Sequence, residues 1–172
     1  MQIVPEIHNE FSPLEIVVVG RADRMGDVPR ADDCYDARSY ESVVEGSYPS
    51  EASCRVQINS FADLLESKGV KVLRPNELSG LNQIFSRDVA FVIEDQLVLP
   101  NVLVDREEEQ SAYHHILDQI PSSHIIMMPS GCFAEGGDVI PHGNHVFVGV
   151  SNDEHFEQYT TARTNREGFE YL

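Results

Sequence analysis

Apolar residues along this chain gather in short runs separated by polar, turn-rich stretches. "PLEIVVVG" (Pro13 to Gly20) is β-branched and closed by glycine, which predicts a buried strand. The polar stretch from Arg21 to about Arg55 shows no period and reads as a long loop of the kind that carries function. In "VQINSFADLLESKG", Ile58, Phe61, Leu64 and Leu65 share one helical face, with Gly69 as the stop. "VKVLRP" follows as a strand, and "DVAFVIEDQLVLP" predicts a hairpin turning at Glu94 and Asp95. "DREEEQSAYHHILDQI" predicts a helix, with Asp105 and Glu108 as a capping box and Tyr113, Ile116, Leu117 and Ile120 as its buried stripe. "HIIMMP" closes that unit as a strand. "DVIPHGNHVFVGV" then predicts a second hairpin, with Gly143 and Asn144 at its turn.

The order hairpin, helix, strand recurs, and Asp88 and Asp138 open successive hairpins at a spacing of 50. A period of that size points to a radial or stacked array in which no unit buries its apolar face alone. The third unit is expected to be incomplete. It has its hairpin and a helix starting near Asn165 in "TNREGFEYL", but no closing strand. Residues 1–172 thus read as a single domain that is the N-terminal part of a longer chain.

Composition narrows the function classes. With 172 residues, 41% hydrophobic and 24% charged, the chain is an ordinary globular domain. Twelve Lys and Arg against 29 Asp and Glu give a net charge of −17, which repels phosphate backbones and argues against nucleic-acid binding. The same charge suits a cationic small substrate, or serves solubility alone. The start, "MQIVPEIHNEF", lacks the features of a secretory signal, and no apolar run reaches the length of a membrane span. Cys34, Cys54 and Cys132 show no zinc-type spacing, so a reduced cytoplasmic setting without a bound metal is expected.

"EGGDV" (Glu135 to Val139) sets two acids around a glycine pair where a hairpin begins. Read alone, it is either a polar turn or a tight passage that aims both carboxylates at one place. Three other segments accompany it in order: "NEFSPLEIVVVGRA" (Asn9 to Ala22), "NQIFSRDVAFV" (Asn82 to Val92) and "ARTNREGFEYL" (Ala162 to Leu172). On these four segments the chain resembles the amidinotransferases, within the guanidino-modifying group that includes arginine deiminases and dimethylarginine hydrolases. The resemblance implies an α/β fold, the pentein or five-bladed α/β propeller of repeated ββαβ units, of which this chain would supply about three.

It also implies a chemistry. A cysteine thiolate attacks the guanidinium carbon of arginine, and an amine acceptor then takes the amidino group, with no metal or cofactor. Asp88 matches the acid that holds the guanidinium, with Asn82 and Phe85 at substrate-contacting positions. Without the resemblance, Asp88 would read as a strand cap with Arg87 as its ion partner. Glu135 or Asp138 would orient the catalytic histidine, and Arg163 would meet the substrate carboxylate, although "NDEHFEQYTTA" stretches the spacing before it. The family's cysteine and histidine lie towards the C-terminus and match nothing here. His115 reads as a surface residue, His142 and His145 straddle a turn, and the thiolate of Cys132 would be disfavoured by the neighbouring acids. The chain alone is therefore expected to be inactive. A deiminase-like hydrolase and a non-catalytic binding module are the alternatives. Uncovered faces of a partial propeller would favour pairing into a homo-oligomer.

Overall fold

A computed structural model describes residues 2–34, 37–151 and 163–172. β1 (Ile16–Val18) leads into α1 (Ala37–Val44) and α2 (Glu51–Ser67), and the chain returns as β2 (Lys71–Leu73), parallel to β1. The short α3 (Ser86–Val89) introduces an antiparallel hairpin of β3 (Phe91–Ile93) and β4 (Gln96–Leu99). A 3-10 helix (Val104–Tyr113) runs on into α4 (His114–Leu117) and carries the chain to β5 (Ile125–Met127), parallel to β4. A 3-10 turn (Gly136–Asp138) then introduces the hairpin of β6 (Val139–His142) and β7 (His145–Val148), and α5 (Arg166–Tyr171) is the last element. Among the described residues the sheets are small, of two, three and two strands, and share no strand. Helical crossovers between parallel strands make this an α/β fold.

The repeat holds at the level of register. Glu94 and Asp95 turn the second unit's hairpin, Gly143 and Asn144 the third's, 49 positions on. Phe91 faces Val98 in one, and Ile140 faces Phe147 at the same places in the other. Successive units also pack through similar contacts. Tyr113 and Ile116, from the second unit's helical segment, form a core with Val89, Val102 and Ala112, against which Val18 and Leu73 of the first sheet pack. Phe91, Val98 and Met128 of the second sheet pack in turn on Ala134 and Val139 at the start of the third unit, with Leu172 alongside. The first and second sheets each pack against the unit that follows.

Three details differ from the sequence reading. The stretch from Arg21 to Arg55 is not a plain loop: it contains a 3-10 turn (Ala31–Asp33), α1 and the first turn of α2. Ser50 caps α2, its hydroxyl accepting the Ser53 N–H at 3.3 Å, so this helix starts earlier than the apolar period suggests. Phe61 and Leu64 on α2 are exposed, and Ala62 is the helix's buried residue. The segment after β4 begins as a 3-10 helix with Leu103 at its N-cap position, so Asp105 lies within the helix and not at its cap position. Tyr113, Ile116 and Ile120 are nevertheless buried as expected. Asn165 caps α5, its side-chain oxygen accepting the Gly168 N–H at 2.8 Å. Among the described residues, no helix is long and apolar enough to cross a membrane.

Phe91 is central to the second core, so Phe91→Ala is expected to cost about 3–5 kcal/mol. A urea denaturation midpoint that does not move would contradict this packing.

Candidate active site

The four segments singled out above meet in one place, and Arg87 ties three of them together. Its guanidinium donates to Glu10 at 2.7 and 2.9 Å and to the Gly136 carbonyl at 2.7 Å, and also reaches the Val139 carbonyl. The hydrogen bond from Arg87 holds the Glu10 carboxyl below its usual range. Arg87 therefore pairs with Glu10, not with Asp88.

Asp88 lies in α3, where its N–H donates to the Phe85 carbonyl at 3.1 Å and turns its carboxylate inward. Asp88 Oδ1 accepts the Gly137 N–H at 3.0 Å. This contact explains the glycine pair. A Cβ on Gly136 would run into the Arg87 carbonyl, and one on Gly137 would sit 2.6 Å from Asp88 Oδ1. Only glycine at both positions lets the third unit's backbone close on the acid.

At the centre of the cluster is Arg106, a residue the sequence reading did not select, only 2% exposed. Its Nε and Nη2 donate to the two oxygens of Glu109 at 2.8 and 3.0 Å, a forked pair. Its Nη1 reaches Asp88 Oδ2 at 2.7 Å and Glu135 Oε2 at 3.3 Å, and Nη2 reaches the Phe85 carbonyl at 3.4 Å. A signal for this pair was present. Stepping back along the buried stripe from Ile120 through Ile116 and Tyr113 in threes and fours lands on Glu109 and then Arg106.

Glu135 is 1% exposed and takes a second cation, Arg163, whose Nη1 donates to Oε2 at 2.9 Å and lies 3.8 Å from Asp88. Its other oxygen, Oε1, is buried without a hydrogen-bond partner, the only carboxylate oxygen among the described residues in that state. Asp138 does a different job. Its Oδ2 accepts from the Arg163 N–H and from the Thr164 hydroxyl, each at 2.9 Å, and so fastens the segment that brings Arg163 in. Asn82 is half-buried and closes a local turn, its side chain accepting the Ile84 N–H at 3.2 Å. Phe85 turns its ring to solvent and contributes only its carbonyl. The stretch "NDEHFEQYTTA" (152–162) lies outside the described residues.

Burial raises the Glu109, Glu135 and Asp138 carboxyls above their ordinary range, and the neighbouring donors oppose this without cancelling it. Burial also weighs against the Arg106 cation, but Glu109 and Asp88 outweigh it and hold the guanidinium firmly protonated. Elsewhere, His115 is a surface residue whose ring meets the Arg74 carbonyl at 3.0 Å, and His142 and His145 are exposed on the last hairpin. Cys132 packs beside the second core. Among the described residues, no three His, Cys, Asp or Glu side chains are grouped to hold a metal.

No family model and no curated protein sequence matches the chain. Its fold does match solved structures. It superposes on inosamine-phosphate amidinotransferase StrB1 from Streptomyces griseus with a TM-score of 0.69 and 18% identity, over all of this chain and 59% of that one. SxtG, an amidinotransferase from Microseira wollei in the saxitoxin biosynthetic pathway, gives 0.71 and 20%, over 97% of this chain and 58% of the other. DDAH from Pseudomonas aeruginosa, a cysteine-to-serine variant complexed with citrulline, gives 0.62 and 15%, over 92% and 55%. The chain thus spans well under two thirds of each of these proteins, and the fold it shares with them is that of amidinotransferases and DDAH.

Proposed function

We propose that residues 1–172 form a single domain that is the guanidinium-binding part of an amidinotransferase-like enzyme, about three of the five ββαβ blades of an α/β propeller. The enzyme moves an amidino group from arginine to an amine acceptor. A cysteine thiolate adds to the guanidinium carbon, the C–N bond to ornithine breaks, and the acceptor amine displaces the cysteine sulfur. The cysteine and the histidine that serves it are supplied by polypeptide outside these residues.

The observation that carries this reading is the free Oε1 of Glu135. A buried carboxylate oxygen without a donor is costly, on the order of 1–3 kcal/mol, so a donor belongs there. The N–H of a catalytic histidine, as the resemblance implies, or of a bound guanidinium would satisfy it. The surroundings suit a guanidinium in kind, since Asp88, Glu109 and Glu135 already hold Arg106 in the way a carboxylate cluster holds such a cation. Each Asp88 oxygen has a second lone pair for substrate N–H groups, while Arg163 stands at the more open side for the substrate carboxylate. The likeness to DDAH keeps a second reading in play, in which water is the acceptor. Product analysis with and without an added amine separates the two.

Four outcomes are expected. The 172-residue chain binds L-arginine in a calorimetric titration, and Asp88→Asn weakens that binding about tenfold, as for loss of one charge-assisted contact. The chain releases neither ornithine nor citrulline; substantial release would refute the division of labour, and equal binding by Asp88→Asn would remove Asp88 from the site. Arg106→Ala leaves three buried carboxylates without their shared cation and is expected to cost about 3–5 kcal/mol in urea denaturation. Finally, because Glu109, Glu135 and Asp138 titrate above their ordinary values when folded, the folded state binds their protons more tightly than the unfolded chain. The stability they contribute is complete below their unfolded values and is lost as pH rises through the raised ones. The denaturation midpoint should therefore climb as pH falls through the raised values towards the ordinary carboxylate range, and a midpoint that falls over that interval would contradict the burial of these groups.

A further inference from the structure

The segment ahead of β1 is tied down along its length by contacts with both later units. The Ile3 N–H donates to the Gln119 carbonyl at 2.7 Å, just past α4, and Ile7 and Glu94 exchange N–H to carbonyl bonds at 2.8 Å each. The His8 carbonyl accepts the Gly143 N–H at 2.8 Å, and the Phe11 ring lies 5.8 Å from that of His142, so the last hairpin holds the segment as well. Between these anchors, the Asn9 side-chain oxygen accepts the Phe11 and Ser12 N–H groups at 3.0 and 2.7 Å and closes a turn. Glu10 lies inside that turn. Its backbone is therefore placed before its carboxylate meets Arg87.

Arg87 meets Glu10 with both Nη atoms, at 2.9 and 2.7 Å, while its Nε donates to the Gly136 carbonyl at 2.7 Å and Nη2 also reaches the Val139 carbonyl. Those two carbonyls stand at the start and just past the end of the 3-10 turn (Gly136–Asp138), so one planar group spans it. From inside the same turn the Gly137 N–H goes to Asp88, the residue next to Arg87. We propose that Glu10 and Arg87 are positioning residues for the guanidinium site: the pair anchors the turn that presents Glu135 and Asp138, and so fixes where those acids stand relative to Asp88. Their side chains are 45% exposed for Arg87 and 41% for Glu10, and an ion pair that wet adds little stability. What a forked contact adds is direction, because it holds the guanidinium plane in one orientation. The effect on substrate rests on the guanidinium-binding reading above; the brace itself rests only on these contacts.

Amide exchange and L-arginine titration of the 172-residue chain test the two halves separately. Glu10→Gln keeps the size of the side chain and removes its charge, and Arg87→Lys keeps the charge and removes the fork. In both variants the Gly137 amide, held by Asp88, should exchange about tenfold faster, while the Val19 amide, bonded to the Leu73 carbonyl at 3.0 Å in the first sheet, keeps its wild-type rate. L-Arginine should bind about three- to tenfold more weakly, with the urea midpoint of Glu10→Gln close to that of wild type. Acceleration at Gly137 and Val19 together would mean a general loss of stability and would overturn the proposal, as would an unchanged rate at Gly137. Faster exchange at Gly137 with unchanged arginine affinity would overturn the positioning role. A wild-type chain that binds no arginine would sink the guanidinium-binding reading and the positioning role with it, whereas the brace would still stand or fall by the rate at Gly137.

Discussion

The candidate site depends on a guanidinium buried among carboxylates. Arg106 bridges Glu109, Asp88 and Glu135, which come from two different units of the repeat. Three acids brought this close out of water would repel one another and would gain protons to escape the cost of burial. One planar cation with donors on three sides lets them stay charged and sets the directions in which they point. The balance is incomplete, because four carboxylates in the cluster face only Arg106 and Arg163. Backbone N–H groups of Gly137 and Arg163 and the Thr164 hydroxyl make up part of the difference.

The repeat explains how those acids arrive. In the second and third units, the turn before the hairpin closes with the same hydrogen bond, from Asp88 N–H to the Phe85 carbonyl and from Asp138 N–H to the Glu135 carbonyl. One local geometry thus presents two pairs of side chains, Phe85 with Asp88 and Glu135 with Asp138. Their fates differ because their neighbours differ. Phe85 faces solvent while Glu135 is buried, and Asp88 meets Arg106 while Asp138 is taken up by the segment at Arg163 and Thr164. The repeat supplied the positions, and divergence between units supplied the chemistry.

Much of this was legible in the residues. Short β-branched runs closed by glycine or proline became strands, and both hairpins turn where their polar pairs stand. α1 was not legible because it spans only eight residues and buries none of them, too short a stretch for an apolar stripe to stand out. The apolar face of α2 was legible, but its exposure at Phe61 and Leu64 was not, since periodicity reports what could be covered and not what covers it. Asp88, Glu135 and Arg163 stood out by motif. Their convergence on Arg106 did not, because a charged residue is expected outside the core unless a partner is known, and the partners lie far along the chain. Phe85 contributes a carbonyl rather than its ring, which no residue type could have announced.

The site is also inseparable from the packing between units. Val89, in the first core, follows Asp88 directly, and Ala134 and Val139, in the second, flank Glu135 and Asp138. Asp88, Glu135 and Asp138 are therefore each the next residue along from an apolar anchor. Packing of one unit on the next fixes those anchors, and with the charged contacts of Arg106 it places these carboxylates. A core residue changed on either side would be felt at the acids before any polar contact was altered, because cores this dense transmit displacement rather than absorb it.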